Sequence, residues 1–71
     1  MSREEFVSFV TNTPAWRVVQ IAQWYRHDTF AARESLRAAL RAATQEWVEE
    51  FWNQARIRGL EGELREWLAT P

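Results

Sequence analysis

The chain contains no cysteine and no lysine, only two prolines and two glycines, and no apolar run approaching membrane-spanning length. Without cysteine there is no disulfide framework, no thiolate nucleophile and no Cys-ligated zinc; without lysine there is no lysine Schiff base. A membrane helix needs roughly 20 consecutive apolar residues, so none is expected. The opening Met1-Ser2-Arg3-Glu4-Glu5 is acidic and leads into no apolar stretch, which does not read as a secretory signal. A cysteine-free chain suits any compartment, so a cytoplasmic location is the default expectation. There is little charge of one sign: basic and acidic residues number 9 and 10, with a formal net charge of −1. The broad electrostatic attraction of a nucleic-acid binder is missing, although a local basic stripe is still permitted.

What remains is 71 residues, 46% hydrophobic, with five tryptophans. That length allows one small domain whose core alone yields only a few kcal/mol of net stability. Trp16, Trp24, Trp47, Trp52 and Trp67 offer large apolar areas and argue against disorder. No segment alternates apolar and polar residues over several positions, so strands have little support. The expected class is all-α.

The few helix-breaking residues divide the chain into about four helices. Ser2 and Glu5 have capping-box spacing ahead of Phe6, Phe9 and Val10, which predicts a first helix over 3–11. Thr13 is the expected N-cap and Pro14 the first residue of a second helix over 14–26. That helix is apolar around much of its circumference and is expected to be central, with Trp16, Ile21 and Tyr25 in the core. After His27-Asp28-Thr29 no proline or glycine occurs until Gly59, which predicts one long third helix over 29–58. A last helix over 60–69 carries Leu60, Leu64, Trp67 and Leu68 on one side.

Thirty continuous helical residues would reach about 45 Å, whereas a compact domain of this size measures about 30 Å across. The rod would therefore overhang its own domain. Leu36, Leu40, Thr44, Trp47, Val48, Phe51 and Ala55 form one apolar arc on it, with Trp52 at the margin, and alanines 31, 32, 38, 39 and 42 lie mostly opposite. Arg33, Arg37 and Arg41 make an i, i+4, i+8 ridge in the first half; Glu46, Glu49 and Glu50 occupy the second. On one helix this order opposes the macrodipole, which favours acids near the N-terminus and bases near the C-terminus. An antiparallel second copy would relieve the mismatch, bringing Leu40 near Trp47, Arg37 and Arg41 toward Glu49, and an arginine over Trp52.

Signals for chemistry are sparse. His27-Asp28 is the one catalytic-type pair, but a lone histidine beside a helix end more often caps carbonyls, and no further histidine exists to complete a metal site. Ser2, Ser8 and Ser35 have no nucleophile-elbow context. Glu46, Glu49 and Glu50 lack the shaped loop or Glu-x-x-His spacing of a cation site, and Gly59 and Gly62 form no phosphate-cradling loop. The expectation is therefore no enzyme, no cofactor and no metal. The expected activity is protein–protein contact or assembly, through self-association as an antiparallel homodimer. Arg33, Arg37, Leu40, Arg41, Trp47, Glu49, Phe51 and Trp52 are the expected partner-binding residues. The competing reading is a helix-turn-helix-like DNA binder using Arg33, Arg37 and Arg41; its turn lacks glycine, and the glutamates beyond would repel phosphate.

Overall fold

The computed structural model describes residues 2–25 and 30–70, without the side chains of residues 3, 24, 25 and 30–32. The expectations for Tyr25 as a core residue, for His27-Asp28, for alanines 31 and 32 and for the turn between the second and third helices lie outside the described residues. Five helices follow one another: α1 (Arg3–Thr11), α2 (Ala15–Tyr25), α3 (Phe30–Ala42), α4 (Gln45–Ile57) and α5 (Glu61–Ala69), with no strand among the described residues. α1 packs mainly on α3 and α2 on α4, while α5 lies against both α3 and α4. The molecule measures 30 × 26 × 18 Å.

The principal departure from the sequence-based expectation is that the long third helix is two helices. Ala43 still donates to the Ala39 carbonyl, and then Thr44 turns extended at φ −65° and ψ 157°. Its hydroxyl accepts the Trp47 backbone N–H at 3.2 Å, so Thr44 is the N-cap of α4. Threonine competes with helix continuation in this way because its side chain supplies an acceptor for a free amide. The energetic reason for the break is tertiary. A 45 Å rod would leave half its apolar arc in water, whereas the break lets α3 meet α1 and α4 meet α2, sealing Leu36, Ala39, Phe51 and Ala55 in one core.

The break also eases the apparent charge mismatch. On two helices, Arg41 stands in the last turn of α3 and Glu46 in the first turn of α4, each in the favourable sense for its own dipole. An antiparallel partner is no longer required to balance these charges.

The other boundaries follow local chemistry. Ser2 accepts the Glu5 amide at 3.1 Å and caps α1. Thr13 does not cap α2 as expected: its hydroxyl donates back to the Phe9 carbonyl, and the Pro14 carbonyl accepts from Arg17 and Val18 to begin α2. Gly59, at φ +72°, ends α4 with Gly59 N–H on the Arg56 carbonyl and Leu60 N–H on the Ala55 carbonyl. That pair of bonds is a Schellman closure, and the left-handed position favours glycine. Leu60 and Ala55 are both buried and provide its apolar contact.

The core comprises Val10, Ala15, Val18, Val19, Ala22, Leu36, Ala39, Phe51, Ala55, Leu60 and Leu64. Trp16, expected within it, is 45% exposed. The α2 face that turns inward carries Ala15, Val18, Val19 and Ala22, and Trp16 lies off that stripe. Ile21 is half-buried.

Candidate interaction surface

The aromatic residues expected as partner anchors serve the chain's own interior. Phe51 is fully buried; its ring stacks on Trp47 at 5.7 Å between centroids and meets Trp52 edge-on at 4.9 Å. The Trp47 indole N–H donates to the Thr13 carbonyl at 2.9 Å, tying α4 to the α1–α2 turn. Trp52 receives a guanidinium as expected, but it is Arg65 of the same chain, with Cζ 4.0 Å from the ring centre. Arg65 also contacts Glu61, as does Arg56; the Arg56 bond foremost, with Arg65 adding to it, holds the Glu61 carboxyl below its ordinary value against the opposing effect of desolvation. Leu40 is half-buried against the core.

The arginine ridge is divided in the same way. Arg37 donates through Nη1 to the Glu34 carboxylate, and through Nε and Nη2 to the carbonyls of Leu68 and Thr70. Those carbonyls belong to the unsatisfied C-terminal end of α5, where a cation is favoured. Arg37 is therefore a clamp between α3 and α5 rather than a group free to reach Glu49 or a phosphate. Arg33 is half-buried and Arg41 exposed. Glu49 is exposed and accepts from Gln45 one turn earlier. The structure thus draws Arg37, Leu40, Trp47, Phe51 and Trp52 into intramolecular packing and leaves only Arg41 and Glu49 on the surface.

An apolar surface exists elsewhere. Phe6, Phe9 and Val10 of α1, Val18, Ile21 and Ala22 of α2, Leu36 of α3 and Trp67 of α5 line an open groove of about 210 Å³. Apart from the Trp67 indole nitrogen, these side chains are hydrocarbon. At its lip Phe9 is 49% exposed. The volume exceeds the roughly 150 Å³ of a cavity that takes up benzene, so the groove has room for about one aromatic side chain. With so few polar groups to orient a ligand, it suits an apolar guest and not a charged one.

The helical spacing of Phe6, Phe9 and Val10 was visible in the sequence as a stripe, but its partial coverage was not. Val10 is buried while Phe6 and Val7 are half-buried, because α1 carries a wider apolar arc than one packing partner covers. Among the described residues, no three His, Asp or Glu side chains gather into a metal-holding group, and no helix is long and apolar enough to cross a membrane. No family model, no curated protein and no solved structure matches the chain.

Proposed function

We propose that this chain is a non-catalytic protein-interaction module whose contact surface is the groove between α1, α2, α3 and α5. The observation that carries this reading is the hydrocarbon lining of an open groove with a half-exposed phenylalanine at its lip. Apolar surface is unfavourable to leave in water, so covering this groove with another apolar surface would be favourable. The DNA-binding reading loses support from Arg37, whose three donor groups are engaged by Glu34, Leu68 and Thr70, and from the near-neutral charge.

A photo-crosslinking amino acid at position 9 tests the reading in cells producing the protein. The expected result is a discrete adduct that disappears when Ala22→Leu fills the groove floor. Absence of any adduct, or one indifferent to Ala22→Leu in a variant with unchanged helical circular dichroism, overturns it. Retention on duplex DNA that falls steeply with salt and is lost in Arg41→Ala would favour the nucleic-acid alternative instead.

A further inference from the structure

We infer that the groove's occupant is a second copy of this chain, with Phe9 of each protomer inserted into the groove of the other. This rests on the groove being an interaction site, and it names the partner.

The first support is that knob and hole share one face. Among the described residues the large exposed hydrophobics are Phe9, Trp16 and Ile57, and of these only Phe9 also lines the groove. A two-fold interface requires that one patch be complementary to itself. An apolar projection beside an apolar recess of about one aromatic side chain's volume meets that requirement, because a single rotation fills both recesses.

The second support is the charge on the two lips. Glu5 lies one helical turn before Phe9 on α1, and Arg17 lies one turn before Ile21 on α2, so each shares a face with a groove-lining residue. Both are exposed, and neither has an ion-pair partner among the described residues. One lip is acidic and the other basic. With the two-fold axis running along the groove, a partner that exchanges Phe9 side chains sets the acidic lip of one copy against the basic lip of its mate.

The third support is size. Chains this small commonly gain from association what their cores lack.

The test is sedimentation equilibrium across a concentration series. Wild type is expected to approach twice its 8.5 kDa monomer mass. Phe9→Ala removes the knob and Ala22→Leu fills the hole, and each is expected to weaken dimerisation about tenfold or more, as loss of a central anchor does. Trp16→Ala and Ile57→Ala leave it unchanged. Glu5→Arg places like charges on both lips and weakens the dimer; adding Arg17→Glu restores it. A wild type that stays at 8.5 kDa at the highest soluble concentration overturns the inference, as does a dimer indifferent to both groove variants. The crosslinker at position 9 distinguishes the two failures. A groove-dependent adduct to a different protein, with no adduct to a second copy, sinks the homodimer and keeps the interaction module. No adduct in either purified protein or cells sinks both.

Discussion

Replacing Thr44 by alanine separates a capped helix start from a continuous helix by the sign of the stability change. Thr44 is exposed, extended, and accepts the Trp47 amide at 3.2 Å. Removing its hydroxyl leaves that amide to water and is expected to cost about 1 kcal/mol, within the 0.5–2 kcal/mol range for lost N-caps. Were residues 30–57 one helix, the same change would put the best helix former in place of a mediocre one and would stabilise by up to about 0.7 kcal/mol. For a chain of this size, 1 kcal/mol corresponds to a fall in Tm of about 4–8 °C. Thermal and urea unfolding, followed by tryptophan fluorescence and far-UV circular dichroism at fixed protein concentration, resolves the two signs. Thr44→Asp keeps the cap and places a negative charge at the start of α4, so it should match or exceed wild type. Gln45→Pro, at the first helical position, should be tolerated, whereas in a helix interior it would cost about 3 kcal/mol. A Thr44→Ala protein at least as stable as wild type, together with a collapsed Gln45→Pro protein, would refute the two-helix reading.

Three further perturbations examine the packing. Phe51→Ala should cost about 3–5 kcal/mol, a large share of the roughly 4–11 kcal/mol available to a chain of this length; a urea midpoint close to wild type would contradict the burial of Phe51 between Trp47 and Trp52. Arg37→Met removes the clamp on the α5 carbonyls and should speed amide exchange in Glu61–Ala69 while leaving α2 protected, at a cost of about 1–3 kcal/mol; uniform exchange changes would show that Arg37 does not act through α5. Glu61 is held below its ordinary value of 4.5 by Arg56 and Arg65, so its contribution is complete above that value and is lost as pH falls through the lowered one. Glu61→Gln should therefore flatten the acid limb of the stability profile, and an unchanged limb would show that the two guanidinium contacts do not matter in solution.

Local chemistry made much of the fold legible. Ser2 before Glu5 marked the start of α1, Pro14 the entry to α2, and Gly59 the end of α4, because caps and left-handed positions depend on residues within a few places of one another. The break at Thr44 was not legible in the same way. A single hydroxyl worth about 1 kcal/mol is a weak local signal, and Ala43-Thr44-Gln45 tolerates either outcome until the neighbouring helices are in place. The apparent dipole conflict was itself a sign of two helices, since Arg41 and Glu46 each suit their own terminus once the chain is divided.

Composition and short-range spacing settled the helical class and the outer helix boundaries, since those depend on residue type and near neighbours alone. Tertiary packing decided which aromatics are inside. Phe51 became core, with Trp47 half-buried against it, because α2 and α5 cover α4; Trp16 stayed outside because it lies off the stripe that α2 buries, and Phe9 was left at the lip of a groove that four helices build together. Burial is a property of what lies across the interface, and no residue carries that information by itself.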